Sequence, residues 1–229
     1  MKRLLTCSPL AVALALAGCD GTATAPPLRP SFDAGGGQGV NLRAGGFGEG
    51  SFAAWKSHEG QPDTKGNGDF ALYFQKMTTT ATNAAAFAVI TGVEGQLFSD
   101  LSLSWLHRDG GWCGAGAPRW NVGVKGGGSI GADYTVFLGC SHADQSGDAP
   151  SGWKSDAFSP AYIATTQLTT VLGFSADQAA DIEAGTITSL AIIFDEGTDV
   201  GPGFVFLDNI TVIGKTFTKI FTSPGDNGT

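Results

Sequence analysis

A period-two alternation of apolar and polar residues is the feature that most constrains this chain. Residues 101–105 read L-S-L-S-W, and residues 120–124 read W-N-V-G-V. Because successive side chains of a β-strand point to opposite faces, this pattern predicts strands with one buried face. Three glycines at 126–128 and a second apolar run at 134–140 follow. The two runs and the glycines between them predict a β-hairpin.

Further strands are predicted at 69–77, 85–91, 190–194 and 204–213. The chain has 35 glycines and is 42% hydrophobic, which favours many strands joined by tight turns. One helix is predicted at 178–184, because Ser175 and Gln178 form a capping-box pattern and Gly185 supplies a stop. The expected fold class is all-β, an antiparallel β-sandwich with one short helix.

The N-terminus has the three parts of an export signal. Lys2 and Arg3 are followed by an apolar run at 10–16 and by small residues before Cys19. The apolar run is too short to span a bilayer, which needs about 20 residues. Residues 22–30 are rich in Pro, Thr and Ala, and this composition predicts an extended or disordered tether.

Residues 16–19, L-A-G-C, resemble the lipobox of bacterial lipoproteins. The resemblance implies a signal peptide at 1–18 and lipidation of Cys19 by fatty acyl chains such as palmitate. It also implies a lipid-anchored protein of the bacterial cell envelope that faces outward from the cytoplasm, in a membrane the motif does not specify. The expected organisation is a tether at 19–30, a sandwich domain at 31–220 and a disordered tail at 221–229. The alternative is plain secretion, with Cys19 a chance thiol.

The net charge limits the partners that the chain can bind, and the cysteines predict a disulfide. The net charge of −8 argues against nucleic acid as a partner. Of four cysteines, Cys7 lies in the signal and Cys19 at the lipid site, which leaves Cys113 and Cys140. In an oxidising compartment these two are predicted to form a disulfide. A metal site and a redox pair are the alternatives, although the two residues lack C-x-x-C spacing.

The run F-V-F-L-D-N-I-T-V at 204–212 contains a carboxylate among apolar residues. Alternation puts Phe204, Phe206, Ile210 and Val212 on one face, predicted to be the core face, and Asp208 falls on the same face. A buried carboxylate needs a partner. Asp208 could bind Ca²⁺, accept backbone N–H bonds, or lie at a bulge that turns it outward.

The same run, aromatic-x-aromatic-Leu-Asp-Asn-Ile-x-Val, resembles the closing strand of jelly-roll domains of the galactose-binding-like and carbohydrate-binding-module type. Residues 168–194 fit the same pattern. The resemblance implies a jelly roll, and a structural calcium ion held by Asp208 with Asp33 from the first strand. It specifies the ligand poorly, because jelly rolls host many functions.

Two loops carry candidate ligand-binding residues. Trp112 lies among small residues next to Cys113, and Trp153 lies in a polar loop with Asp144 and Asp148. An aromatic ring beside carboxylates suits a glycan, because the ring stacks on the sugar and the acids accept its hydroxyls. The alternative is that both tryptophans cover the end of the sandwich.

No catalytic constellation is evident. The G-x-S-x-G match at 127–131 lies in the predicted hairpin and lacks the following helix that a nucleophile elbow requires. His107 continues a strand face and is predicted to be a packed side chain. The expected function is a membrane-anchored module that binds carbohydrate. The alternative is a structural or protein-interaction lipoprotein with no small-molecule site.

Overall fold

The computed structural model describes residues 39–62 and 68–217, and they contain eleven β-strands. The strands are β1 (Asn41–Phe47), β2 (Ser51–Lys56), β3 (Ala71–Lys76), β4 (Ala85–Thr91), β5 (Leu103–Arg108), β6 (Arg119–Lys125), β7 (Asp133–Gly139), β8 (Trp153–Phe158), β9 (Thr186–Phe194), β10 (Phe204–Val212) and β11 (Lys215–Thr216). Sheet A has the order β1-β4-β9-β6-β7 and sheet B the order β2-β3-β10-β5-β8, with β11 on β10. Every strand pair is antiparallel.

The core lies between the inner faces of the two sheets. Trp105 of β5 stacks on Trp120 of β6 with ring centroids 4.8 Å apart, so the two sheets meet at these rings. Phe74 and Leu207 of sheet B are also fully buried, as is Phe194 of sheet A. The predicted antiparallel jelly-roll sandwich is confirmed, and so is the β6–β7 hairpin.

Four strands escaped prediction: the two-residue strand β11 and three strands at sheet edges. β1 borders sheet A, whereas β2 and β8 border sheet B. An edge strand is only partly covered, and it therefore carries a weaker apolar alternation than a central strand. β1 also contains Gly45 and Gly46, which supply no side chains to the pattern.

The helical content exceeds the prediction. Helix α1 (Pro160–Tyr162) continues into a π-helix (Ile163–Val171), which the sequence did not indicate. Helix α2 (Ala176–Glu183) is the predicted helix. Its capping box is complete, because the Gln178 N–H donates to Ser175 Oγ over 3.2 Å and the Ser175 N–H donates to Gln178 Oε1 over 3.0 Å. Among the described residues, no helix has both the length and the apolarity needed to cross a membrane.

The predicted core face of β10 is wrong in its first half. Val205 and Leu207 are fully buried in the sandwich core, so Phe204 and Phe206 point to the outer face of sheet B. The pairing with β5 shifts register between Asp208 and Thr211, and Asn209 has a φ of 47°. This bulge exchanges the two faces, so that Ile210 and Val212 return to the core.

The predicted disulfide is confirmed, because Cys113 and Cys140 are bonded, with Cα atoms 5.2 Å apart. His107 is buried, as expected of a packed side chain. Several predictions lie outside the described residues: the signal at 1–18, Cys19 and the tether to residue 30, Asp33, and the tail at 221–229.

Candidate functional site

Four aromatic rings lie on the outer face of sheet B. They come from three adjacent strands: Phe52 from β2, Tyr73 from β3, and Phe204 and Phe206 from β10. Alternation directs these side chains outward, because the residues between them, such as Leu72 and Val205, are fully buried on the inner side. We call these four residues the aromatic face.

Tyr73 is the centre of the aromatic face. Its ring centroid lies 4.7 Å from that of Phe206, 5.7 Å from Phe52 and 6.1 Å from Phe204. The register explains this arrangement, because Tyr73 pairs with Phe206 across the β3–β10 ladder, and Phe204 and Phe52 both pair with Gln75. Such cross-strand aromatic pairs stabilise the sheet and fix the rings relative to one another.

Polar and charged side chains border these rings. The Arg108 guanidinium lies over the Phe206 ring, with its Cζ 3.6 Å from the centroid, and forms an ion pair with Glu59. The Lys56 ammonium lies 5.5 Å from the Phe52 centroid. These cation–π contacts hold both cations beside apolar surface. An open depression of about 520 Å³ lies here, and it is lined by the aromatic face together with Lys56, Glu59, Gln75 and Arg108.

Hydrogen bonds position the Tyr73 hydroxyl. It donates to Gln75 Oε1 over 2.9 Å, and Gln75 Nε2 in turn donates to the Gly50 carbonyl over 3.0 Å. Burial raises the pKa of the Tyr73 phenol above its ordinary value. The phenol is therefore neutral at physiological pH, and its oxygen can accept a further hydrogen bond.

A small apolar cluster supports the aromatic face from the β8 side. It consists of Ala71, Leu106, Trp153 and Phe206, and it lies on the outer face of sheet B, separate from the sandwich core. Trp153 pairs with Arg108 across the β5–β8 ladder. With 9% of its surface exposed, Trp153 packs beside the depression and has little surface left to offer a ligand.

Trp112 lies in the loop between β5 and β6. Its backbone N–H donates to the Phe204 carbonyl over 2.9 Å, which attaches the loop to the start of β10. The ring covers Gly201, where a Cβ atom would lie 2.0 Å from a ring carbon, so only glycine fits beneath it. The half-buried indole packs against the core. Its role in ligand binding stays a prediction.

Asp144 and Asp148 are exposed in the loop between β7 and β8. Asp144 is fixed by its own loop, because its Oδ1 accepts bonds from the Ser146 hydroxyl over 2.7 Å and from the Ser146 N–H over 3.0 Å. These bonds lower the pKa of Asp144 below its ordinary value. Neither carboxylate lines the depression described above, and their predicted contact with a ligand stays untested.

Asp208 is a buried, hydrogen-bonded carboxylate on the outer side of β10. Its Oδ2 accepts the Gln61 N–H over 2.6 Å, and its Oδ1 accepts the Asn209 N–H over 2.7 Å. Two of the three alternatives predicted for Asp208 are therefore present: it accepts backbone N–H bonds, and it lies at a bulge. The calcium role stays a prediction, because its other carboxylate, Asp33, lies outside the described residues.

The sequence contains part of the pattern that forms the aromatic face, but the alternation in β10 predicts that Phe204 and Phe206 face the core. Tyr73 and Gln75 alternate with Leu72 and Phe74, so the two faces of β3 could be distinguished. Phe204 and Phe206 were assigned to the core because the register change at Asn209 has no sequence signature of its own. Phe52 lies in an unpredicted edge strand. That the four rings share one surface can therefore be recognised only when the order of the strands in sheet B is known.

Comparisons with known proteins give structural likenesses alone. No protein-family model matches the chain, and no curated protein matches it. The structure is similar to the family 11 carbohydrate-binding module of the cellulosomal cellulase Lic26A-Cel5E of Clostridium thermocellum, with a TM-score of 0.39 and 16% identity over 81% of this chain and 94% of that one. A family 11 carbohydrate-binding module from Clostridium thermocellum in complex with a β-1,3-1,4-mixed-linked tetrasaccharide gives a TM-score of 0.38 and 16% identity over 82% of this chain and 95% of that one. A β-1,2-glucanase from Parabacteroides distasonis gives 0.36 and 13% over 79% of this chain and 24% of the enzyme. At these identities the likeness is limited to the fold.

Proposed function

We propose that this chain is a carbohydrate-binding β-sandwich module and that the aromatic face is its binding surface. The observation that carries the proposal is the set of four neighbouring rings in an open depression with a polar border. Pyranose rings present flat apolar C–H faces and an equatorial rim of hydroxyls, so a suitable site combines aromatic surface with convergent polar groups. The volume of about 520 Å³ falls in the range of small-molecule sites.

The geometry assigns a role to each group. Tyr73 and Phe52 supply ring surface for the sugar face. Gln75 and the Tyr73 hydroxyl accept and donate hydrogen bonds at one side of the rings, and Lys56 donates at another. Arg108 is held by Glu59 and by the Phe206 ring, so little conformational entropy is lost when it contacts a ligand. The depression also favours this function over a structural lipoprotein without a small-molecule site.

The cellular setting is part of the proposal. A lipid anchor at Cys19 would place the module on the outer side of a bacterial membrane, where external glycans are available, with residues 20–30 as spacer. The support is the L-A-G-C motif after an apolar run. Mass spectrometry of the protein from a bacterial membrane fraction tests it. An N-terminal peptide that begins at an acylated Cys19 supports the anchor, and a mature N-terminus elsewhere refutes it.

The binding test uses the full chain and soluble polysaccharides. Affinity electrophoresis against mixed-linked β-glucan, xylan, mannan and pectin finds a ligand, and isothermal titration calorimetry measures its dissociation constant. Tyr73→Ala removes the central ring, and we expect a loss of about 2 kcal/mol, or roughly 30-fold in affinity. Tyr73→Phe retains the ring and loses only the hydroxyl contact, so it should weaken binding less.

Phe137→Ala is the matched control. Phe137 is an exposed aromatic residue on the outer face of sheet A, with 45% of its surface accessible. Its removal should leave the affinity unchanged. If Tyr73→Ala and Phe137→Ala bind with wild-type affinity, the aromatic face is not the binding surface. If no polysaccharide binds the wild-type chain, the carbohydrate function itself is contradicted.

A further inference from the structure

Four metal-ligand side chains converge where sheet B meets the end of β7. Each side chain offers one ligand atom, and the four atoms all lie within 4.8 Å of one another. The residues are His107 from β5, Asp156 from β8, Cys140 after β7 and Cys113 from the β5–β6 loop. We call these residues the ligand cluster. His107, Cys140 and Asp156 are buried. In the oxidised protein the two sulfur atoms are bonded to each other.

Cys140 already has the spacing of a zinc ligand. Its Sγ lies 3.7 Å from His107 Nδ1 and 3.4 Å from Asp156 Oδ2. In a tetrahedral zinc site, with Zn–S near 2.3 Å and Zn–N or Zn–O near 2.0–2.1 Å, a sulfur and a nitrogen or oxygen ligand lie about 3.5 Å apart. The two bonded sulfurs and the hydrogen-bonded His107–Asp156 pair are closer than such a site requires, and a central ion would separate both pairs.

Two further side chains hold the Asp156 carboxylate. The Trp105 indole donates to Oδ2 over 2.7 Å, and Gln145 Nε2 donates to Oδ1 over 2.7 Å. Such outer partners orient a ligand and are part of a working metal site. Asp156 and His107 lie on adjacent paired strands, so the sheet itself fixes two of the four positions.

We propose that reduction of the Cys113–Cys140 disulfide opens a structural zinc site formed by His107, Cys113, Cys140 and Asp156. A dithiol reductant supplies two electrons and two protons, its own sulfurs become a disulfide, and the S–S bond gives two thiols. Zinc then binds both sulfurs as thiolates, and the two thiol protons are released to solvent. The neutral His107 imidazole and the ionised Asp156 complete four ligands. Two sulfurs and a nitrogen favour zinc over calcium or magnesium.

The site is independent of the aromatic face, and its test uses metal alone. The full chain carries Cys7→Ser and Cys19→Ser, so that Cys113 and Cys140 are the only cysteines. The protein is reduced with a phosphine and titrated with Co²⁺, which reports tetrahedral thiolate ligation by its visible absorption. The reduced protein should bind one equivalent and release it to one equivalent of Zn²⁺. The oxidised protein should show no such spectrum.

Variants separate a four-ligand site from binding by two thiols. His107→Ala and Asp156→Asn should each weaken Co²⁺ binding by at least about tenfold and shift the spectrum. His142→Ala, an exposed histidine outside the ligand cluster, should change neither. If a variant fails to fold, the redox contrast in the unsubstituted cluster still tests whether Cys113 and Cys140 must be reduced before Co²⁺ binds.

Circular dichroism and a count of two free thiols accompany each titration. If the reduced chain loses its fold and zinc restores it, the proposal is supported. It is overturned if the reduced chain gives no tetrahedral cobalt–thiolate spectrum, folded or not. It is also overturned if that spectrum is identical in His107→Ala and Asp156→Asn.

Discussion

Lys76 is a buried lysine that connects the two sheets, and its replacement is the sharpest test of how the sandwich is held together. The side chain is 1% exposed at the end of β3 in sheet B. Its ammonium donates to the carbonyls of Thr80 at 2.9 Å, Thr82 at 2.8 Å and Asp195 at 2.8 Å. Asp195 directly follows β9 of sheet A, so one cation holds the loop after β3 against the opposite sheet.

The expected change in the free energy of unfolding for Lys76→Met follows from these three hydrogen bonds. Methionine fills similar space but donates nothing, which removes three charge-assisted bonds of about 1.5–3 kcal/mol each. The variant also avoids the desolvation of a buried ammonium, a gain of several kcal/mol. We expect a net loss of about 3 kcal/mol in the free energy of unfolding. For a domain of this size that lowers Tm by roughly 6–12 °C.

The assay is urea unfolding followed by tryptophan fluorescence, together with calorimetric Tm. Lys56→Met is the matched control, because Lys56 is an exposed lysine on the neighbouring strand and should change stability by less than about 0.5 kcal/mol. A Lys76→Met protein that unfolds within about 1 kcal/mol of wild type would refute the reasoning. In that case water satisfies the three carbonyls and the lysine does not hold the sheets together.

Three further predictions concern other parts of the described domain. Burial alone would raise the pKa of Asp181, but backbone N–H donors, led by Gly131 at 2.9 Å, outweigh it and lower that pKa. The carboxylate therefore stabilises the fold above about pH 4, and this stability is lost as pH falls through the lower, folded pKa; Asp181→Asn should flatten the fall of Tm between pH 6 and 3, and a pH profile of Tm identical to that of the wild type would contradict the role of this carboxylate. Ser175→Ala removes the helix cap and should cost about 1 kcal/mol by urea unfolding, and an unchanged midpoint would contradict the role of the cap. If Asp208 contributes to a calcium site, EDTA should lower Tm and added Ca²⁺ should restore it; an identical Tm in EDTA would rule the ion out.

The sequence predicted the central strands and the edge strand β7, which forms a hairpin with β6, but it missed the edge strands β1, β2 and β8. Strands β4 and β6 are covered by neighbours on both sides, and their alternation reports burial directly. Edge strands β2 and β8 have partly solvated faces, and their composition resembles that of loops. The helix at Ser175 was predictable because a capping box is a local signal. The π-helix at 163–171 depends on tertiary packing of Gln167 and Leu168, which has no local pattern.

The candidate site was harder to predict for a related reason. The chain order says nothing about which strands become neighbours, and Phe52 and Phe206 are separated by more than 150 positions before they meet on either side of Tyr73. The bulge at Asn209 also reversed the expected direction of Phe204 and Phe206. Conversely, the disulfide was predictable from the sequence. Cys7 and Cys19 were assigned to the signal and to the lipid site, so that Cys113 and Cys140 were the remaining pair.

The location of the binding surface is the central claim, and chemical-shift mapping tests it most directly. The ¹⁵N-labelled full chain is titrated with the polysaccharide fragment identified by electrophoresis. We predict that the shifts concentrate in β2, β3, β10 and the end of β5, around Phe52, Tyr73 and Arg108. Shifts confined to the loops at 109–116 and 142–152 would instead place the ligand on Trp112 and Asp144 and would contradict the assignment to the aromatic face.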